Sequence, residues 1–180
     1  MSNQPSASFL VSIIGKDQTG VVSAVTGYLF EIGANLADSS FAVLGKAFEF
    51  SCVATFSAAT GQEELQKGLE ALELLADARI TVSQFDYELE RADTGEITHI
   101  VEITGGDRPG LVARISEVLV DYQANIVRMS SRRVPLEGGG FDYRTRFAIN
   151  LSAGRQSALE AALYNTAGSL RLDCKVEAIS

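Results

Sequence analysis

Hydrophobic residues recur at two spacings along the chain, and the same order of spacings appears once in each half. In residues 8–15 and 98–105 every second position lies on one face, as Phe9, Val11 and Ile13 do in the first run. This period predicts a β-strand at the start of each half. The runs that follow are apolar at every third or fourth position, which predicts an amphipathic helix after each strand. The apolar positions of these helices are Val22, Val25, Leu29 and Ile32, and Val112, Ile115, Leu119 and Tyr122.

The remainder of each half returns to strand patterns around a further helix. Two β-rich runs joined by a glycine-containing turn follow the first helix and predict a hairpin. The hairpin strands are residues 35–45 and 47–56, and 125–135 and 141–151. Helical spacing in 61–78 and 154–168 predicts a second helix, and period two in 79–90 and 171–180 predicts a last strand. The order β-α-β-β-α-β is that of ferredoxin-like folds, an α+β class with antiparallel sheets and the helices on one face.

The two halves repeat each other in sequence as well as in pattern. A shift of 90 positions places the residues of a Gly-x-Asp-x-x-Gly loop and of a later Asn on their counterparts. The matched pairs are Gly15 and Gly105, Asp17 and Asp107, Gly20 and Gly110, and Asn35 and Asn125. We therefore predict two domains, residues 1–90 and 97–180, with residues 91–96 as a short polar linker.

The repeated loop lies between the first strand and the first helix of each half, where exposed helix N–H groups favour a carboxylate. We predict that the paired Gly, Asp and Asn positions bracket a small ligand pocket in each half, with the aspartate facing an ammonium group. Structural roles remain open for the same residues. Asp17 and Asp107 can be helix N-caps, and Asn35 and Asn125 can hold a left-handed turn between helix and strand.

Composition and charge narrow the function. The net charge of −8 opposes direct nucleic-acid binding. The longest apolar runs fall short of the roughly 18 residues that a membrane span needs. The N-terminus resembles no secretory signal, so a cytoplasmic location is expected. Cys52 and Cys174 lie in apolar strands and are expected to be buried free thiols.

Other candidate residues favour structural roles. His99 lies in the strand phase of Val101 and is expected to be a satisfied core residue. Five arginines of the second hairpin, which could hold an anionic ligand or acidic partner, are expected to form a solvated face with weak ion pairs. They are Arg128, Arg132, Arg133, Arg144 and Arg146. The sequence offers no nucleophile with a neighbouring base and no metal-ligand cluster, so we expect no catalysis, metal or cofactor.

The sequence Asp107-Arg108-Pro109-Gly110 before a helix, followed by Asn125 at a strand start within βαββαβ, resembles the ACT domain. Residues 41–56 further resemble the hairpin of the glycine cleavage system transcriptional repressor family. The first copy has Gln18-Thr19 in place of Arg-Pro. Serine-binding members have His and Asn where this chain has Gly and Asp, which departs from the serine pattern.

The resemblance implies an amino-acid-responsive regulator, without catalytic activity, that forms a homodimer. It implies ligand positions at Asp17 with Asn35 and at Asp107 with Asn125, in either or both copies. It further implies control of glycine-metabolism genes through a protein partner such as a transcription factor. Two alternatives remain: a regulatory subunit of an amino-acid biosynthetic enzyme, and an assembly scaffold that binds no ligand.

Overall fold

The computed structural model describes residues 7–57, 60–90 and 92–179. The chain divides into two compact units, Met1–Leu89 and Glu90–Ser180. The elements of the first unit are β1 (Ala7–Lys16), α1 (Val21–Glu31), β2 (Ala34–Leu44), β3 (Ala47–Phe56), α2 (Gln62–Glu70), a 3-10 turn (Glu73–Leu75) and β4 (Arg79–Gln84). Those of the second unit are a 3-10 turn (Asp93–Gly95), β5 (His99–Gly106), α3 (Leu111–Asp121), β6 (Asn125–Pro135), β7 (Phe141–Asn150), α4 (Gln156–Ser169) and β8 (Asp173–Ala178).

Each unit contains one four-stranded antiparallel sheet. The strand orders are β2-β3-β1-β4 and β6-β7-β5-β8, so the first strand of each unit lies inside its sheet and the hairpin's first strand lies at an edge. This arrangement confirms the predicted α+β, ferredoxin-like class for both halves. The hairpin edge strands β2 and β6 each carry a β-bulge at the same repeat position, after Leu36 and after Ile126. Bulges of this kind twist an edge strand and limit its pairing with other chains.

One face of each sheet packs against its two helices to form a core. In the first unit Val11 and Ile13 of β1 are fully buried with Leu29 of α1 and Leu65 of α2. Their counterparts in the second unit include Val101, Ile103, Leu119 and Leu159, which are equally inaccessible. Burial of such side chains contributes about 1.5–3 kcal/mol each. Each unit is therefore stabilised by a hydrophobic core of its own.

The boundaries of several elements differ from the predicted ones. The first helix of each unit buries Val21 or Leu111 in its first turn, whereas the predicted Val22 and Val112 are partly exposed. The predicted second helix of the first unit ends at Glu70, where the chain passes into a 3-10 turn. The helix predicted over 154–168 begins at Gln156 and continues to Ser169, so Gly168 lies inside α4, and Arg171 after the helix takes the left-handed conformation.

The segment expected to be a linker contains an ordered turn that is attached to the second unit. The side-chain amide of Asn125 donates a hydrogen bond to the carbonyl of Thr94, at 2.8 Å. Asn150 donates to the carbonyls of Asp93 and Glu96, at 3.2 and 2.9 Å. Residues 93–96 are therefore held against the strands β6 and β7 by two asparagine side chains.

Candidate functional site

The loop between the first strand and the first helix has the same backbone conformation in both units. Gly20 and Gly110 immediately precede their helices and have φ values of +96° and +81°. Residues with a Cβ are disfavoured at such angles, by about 1–2 kcal/mol. The repeated second glycine of the motif is therefore required by the backbone itself.

The repeated aspartates do not cap the helices. Neither helix has a side-chain hydrogen bond at its N-cap, which is the glycine three residues further on. Asp17 and Asp107 are exposed, and within residues 7–57, 60–90 and 92–179 their carboxylates make no hydrogen bond or ion pair. The capping hypothesis is therefore wrong, and both carboxylates are available to a ligand at the mouth of a cleft.

The repeated asparagines lie at the other end of each unit from the aspartates. Along β3, Phe48 pairs with Gly15 and Thr55 pairs with Asn35, and seven residues of strand span roughly 23 Å. The second unit repeats this separation, because Tyr143 pairs with Gly105 and Asn150 with Asn125. Within one unit, Asp and Asn therefore do not converge on one pocket. The prediction of one pocket was wrong because the helix between Asp and Asn runs along the sheet. The Asn at the start of the next strand therefore lies at the opposite end of the sheet from the loop.

The asparagines also do not hold the left-handed turn that was considered for them. Gly33 and Gln123, again 90 positions apart, have φ values of +80° and +57° at the ends of the first helices. Asn35 is exposed in β2, and Asn125 is engaged with the Thr94 carbonyl.

The first glycine of the motif is required by close packing. A Cβ on Gly15 would lie 2.8 Å from the Cε1 atom of Phe48, and one on Gly105 would lie 2.6 Å from the Cδ2 atom of Leu172. Both contacts are far shorter than ordinary van der Waals distances, so a side chain at either position would displace a core residue.

The residue after the aspartate fastens the loop in both units. Gln18 Nε2 donates to the carbonyl of Leu74 at 2.7 Å, and Arg108 Nε donates to the carbonyl of Leu170 at 3.1 Å. Both carbonyls belong to the segment after the second helix of the unit. The loop is thus anchored in the same way by two different side chains.

An open cleft lies over this loop in each unit. The first, of about 610 Å³, is lined by residues 17–23 and Phe41. The second, of about 280 Å³, is lined by residues 107–113 together with Ser131, Tyr143 and Thr145. Both clefts combine the loop and first helical turn with side chains of the hairpin, so both are candidate sites for a small ligand.

Four hairpin residues at or beside the clefts differ between the units at equivalent positions. Phe50 pairs with Ile13 and Phe41, whereas Thr145 pairs with the corresponding Ile103 and Ser131. By the same register, Phe48 corresponds to Tyr143 and Val43 to Arg133. Four apolar side chains of the first unit are thus replaced by hydroxyl-bearing or charged ones in the second.

These differences determine the side-chain contacts of the hairpin residues that line each cleft. We call these residues the cleft floor: Phe41 in the first unit, and Ser131, Tyr143 and Thr145 in the second. Phe41 and Phe48 are stacked, with ring centroids 5.9 Å apart and an interplanar angle of 18°. In the second unit the Ser131 and Thr145 hydroxyl oxygens are 2.8 Å apart, and Arg133 Nε donates to the Tyr143 hydroxyl at 2.8 Å.

Comparison with known proteins decides the family. A model of the ACT domain matches residues 7–83, and another ACT-domain model matches residues 99–162. The chain belongs to the ACT-domain family. It is a tandem ACT protein, and ACT domains are regulatory modules, so regulation is the broad class of its function.

Relatives and solved structures resemble the tandem ACT arrangement over nearly the whole chain. The glycine cleavage system transcriptional repressor of Escherichia coli (strain K12) is 25% identical over 157 residues, covering 85% of this chain and 77% of the repressor. A crystal structure of an unknown protein from Galdieria sulphuraria has a TM-score of 0.75 and 25% identity, covering 97% of this chain and 99% of that one. A structure assigned to a glycine cleavage system transcriptional repressor has a TM-score of 0.68 at 16% identity, covering 97% of this chain and 98% of that one.

The cysteines of the two ACT domains are packing residues of different exposure. Cys52 is buried, and burial raises the pKa of its thiol to about 12. Cys174 is half-buried rather than buried, and burial, followed by the charge of Glu160, raises its pKa to about 11. Both thiols are free, and a raised pKa keeps them protonated and weakly nucleophilic at neutral pH.

His99 is a core residue, but its hydrogen-bonding capacity is not satisfied. The imidazole is 9% exposed, and its Nδ1 atom lies 2.9 Å from the Thr98 hydroxyl. Its Nε2 atom is buried and has no hydrogen-bond partner among the described residues. The prediction of a satisfied histidine is therefore wrong on this point.

The arginine cluster of the second ACT domain is mostly exposed to solvent. Arg144 Nε lies 3.7 Å from Glu102 Oε1, a distance typical of a weak surface ion pair. Arg132 stands directly opposite Arg144 across the hairpin, where like charges disfavour pairing. Among the residues that the structure describes, no group of acidic, His or Cys side chains could hold a metal ion, and no helix is long and apolar enough to cross a membrane.

Sequence reasoning missed the hairpin residues that line the clefts. Phe41 and Ser131 are related by the shift of 90, and that substitution could have been noticed. The return strands are related by a shift of 95, because the second hairpin has one further strand pair, Pro135 with Phe141, and a turn of five residues at Leu136–Gly140 where the first has two at Gly45–Lys46. Tyr143 and Thr145 therefore escape a comparison at fixed offset.

Proposed function

We propose that this chain senses a free amino acid and regulates genes of glycine cleavage or related amino-acid metabolism, acting as a homodimer through a protein partner. The main support is the match to a glycine cleavage system transcriptional repressor along 85% of the chain. The expected place of action is the cytoplasm.

The loop clefts support an amino acid as the effector. The first helical turn has N–H groups directed out of the helix end, such as those of Val22 and Val112, which favour a carboxylate. The carboxylate of Asp17 or Asp107, which has no partner among the described residues, stands beside the same turn and favours an ammonium group. A dipolar molecule satisfies both charges, whereas a simple anion would be repelled by the aspartate.

The charge of the chain supports action through a partner rather than directly on DNA. With a net charge of −8, long-range attraction to a phosphate backbone is unfavourable. The chain alone is expected to leave glycine-cleavage promoter DNA unshifted in an electrophoretic assay, and a shift at moderate salt would contradict this part of the proposal.

Ligand binding can be tested by thermal unfolding in the presence of each of the twenty amino acids. A specific effector at 100 times its Kd should add about 2.7 kcal/mol of stability. The double substitution Asp17→Asn with Asp107→Asn should remove the response without unfolding the chain. Asp121→Asn, at the far end of α3, is the matched control and should respond like the wild type. A response to none of the twenty would contradict the proposed function.

The regulatory step can be tested in the organism that encodes the chain. Deleting the gene should change the level of glycine-cleavage transcripts, and the wild-type gene should restore it. The double aspartate variant, if it folds, should fail to restore the response to the effector. Unchanged transcripts after deletion would direct attention to a different regulated target.

A further inference from the structure

The two clefts share one backbone plan but have floors of opposite chemistry. In the first, Phe41 is 42% exposed and stacks on the buried Phe48, so the hairpin presents an aromatic surface to the cleft. A carboxylate at the helix end would still meet the first-turn N–H groups, but polar groups placed against the hairpin would lose water and find no side-chain donor there, which is costly. The first cleft is therefore a poor site for a polar effector, although its volume is the larger of the two.

In the second cleft, the hairpin supplies hydroxyl groups with protons free for a ligand. Thr145 is fully buried, and its hydroxyl shares one hydrogen bond with that of Ser131. Either hydroxyl can donate in that bond, and when Thr145 donates, the proton of the exposed Ser131 hydroxyl is left for a ligand in the cleft. Thr145 occupies the position of Phe50 in the first unit and buries less apolar surface than a phenylalanine would. Its buried hydroxyl also requires a hydrogen-bond partner.

Tyr143 provides a second donor, and Arg133 orients it. The Tyr143 oxygen accepts the hydrogen bond from Arg133 Nε, so its own proton is directed away from the arginine. The guanidinium lies 5.6 Å from the centre of the Tyr143 ring and adds positive charge behind the donor. Asp107 stands on the loop side of the same cleft. The cleft thus has donors on one wall and an acceptor on the other.

We infer that the second cleft alone is the effector site, and that Ser131, Tyr143 and Thr145 select a small amino acid with a polar or no side chain. This inference rests on the proposed function and assigns it to one copy. A branched apolar side chain would leave the hydroxyls unpaired, which penalises binding. The first unit keeps the same loop without a polar floor, and its cleft binds no amino acid.

A reciprocal exchange of one residue tests the inference in the full chain. Ser131→Phe gives the second cleft the aromatic residue of the first, and Phe41→Ser gives the first cleft the hydroxyl of the second. Both positions are exposed, so both variants should fold. Each should unfold a few degrees below the wild type, because Phe41→Ser loses the stack on Phe48 and Ser131→Phe loses the hydrogen bond to Thr145. Glycine, L-alanine, L-serine and L-leucine are titrated into each protein by isothermal titration calorimetry.

The wild type should bind glycine, alanine or serine with one molecule per chain, and leucine at least about tenfold more weakly, as one lost hydrogen bond to a buried group implies. Ser131→Phe should abolish binding, whereas Phe41→Ser should bind within about twofold of the wild type. Tyr143→Phe removes one donor without changing the shape of the cleft and should weaken binding about tenfold. It serves as the second variant if Ser131→Phe does not fold.

Three results would overturn the inference while leaving the proposed function standing. These are two molecules bound per chain, loss of binding in Phe41→Ser but not in Ser131→Phe, and tighter binding of leucine than of the small amino acids. If none of the four probes binds the wild type, the inference also fails. The proposed function then depends on the thermal screen with all twenty amino acids, which separates the two failures.

Discussion

The two ACT units of this chain have the same fold, but they differ in net charge and in the side chains that line their clefts. Residues 1–89 hold four Lys or Arg and eleven Asp or Glu, a net charge of −7, whereas residues 90–180 hold eleven and twelve, a net charge of −1. The sheet order, the bulged edge strand, the left-handed glycine before the helix and the anchored loop are the same in both. Residues that the backbone conformation requires, such as Gly20 and Gly110, are therefore the same in both units, whereas the hairpin side chains that face the clefts differ.

The largest expected difference between the units concerns the matched core positions Phe50 and Thr145. Phe50→Ala removes a buried ring and should lower the free energy of unfolding by about 3–5 kcal/mol. Thr145→Ala removes a methyl group and a hydrogen bond to Ser131 and should lower it by about 1–2 kcal/mol. Urea denaturation of both variants measures the difference. Equal losses would show that the polar floor of the second cleft matters for stability as much as the aromatic floor of the first.

The glycines before the helices should respond alike, in contrast to the diverged floors. Gly20→Ala and Gly110→Ala each force a Cβ into positive φ and should each cost about 1–2 kcal/mol. Among the described residues and apart from the adjoining backbone, a Leu74 methyl carbon at 3.7 Å is the one atom within 4 Å of either added Cβ, so contacts with the rest of the structure contribute little. Thermal unfolding measures both, and a neutral effect in one unit would show that its loop relaxes to another conformation.

Position 99 offers a change that should stabilise the chain. His99 replaces the phenylalanine found at position 9 of the first unit and leaves a buried nitrogen without a partner among the described residues. His99→Phe should raise the free energy of unfolding by about 1 kcal/mol, because it removes an unsatisfied polar atom. The reciprocal Phe9→His is the control and should lower it. Destabilisation by His99→Phe would indicate that the imidazole has a partner in solution.

The smallest effect is expected at the repeated aspartates. Asp17→Asn and Asp107→Asn should each change stability by less than about 0.5 kcal/mol, because neither carboxylate makes a hydrogen bond or ion pair with the part of the chain that the structure describes. A helix N-cap would lose about 0.5–2 kcal/mol on removal of its side chain, so Asp17→Ala and Asp107→Ala distinguish the two roles in the same denaturation assay. A loss of that size would restore the capping hypothesis.

Period and repetition were sufficient to predict the fold. Alternating apolar residues such as Val11 and Ile13, and their partners 90 positions later, are determined by which face of a strand meets the core. Helix ends were harder to place, since Val21 and Val22 are equally hydrophobic and only packing decides which of them is buried.

The site was predicted less completely than the fold. The Gly and Asp positions of the loop lie on the clefts or beside them, and their role in ligand binding stays a prediction. The asparagines lie away from the clefts. The number of residues between Asp and Asn in the sequence does not indicate how far apart the loop and the start of the next strand lie along the sheet. The cleft floors depend on cross-strand pairing, which a hairpin of altered length shifts relative to the repeat.

We expect only one of the two similar loops, that of the second unit, to have a polar effector site. Two-dimensional ¹H–¹⁵N NMR of the uniformly labelled chain, titrated with glycine and then L-serine, tests it directly at matched residues. We expect concentration-dependent shifts of the Gly110 and Leu111 amide signals, whereas those of Gly20 and Val21 should stay in place. Shifts at Gly20 and Val21 with none at Gly110 and Leu111 would contradict it.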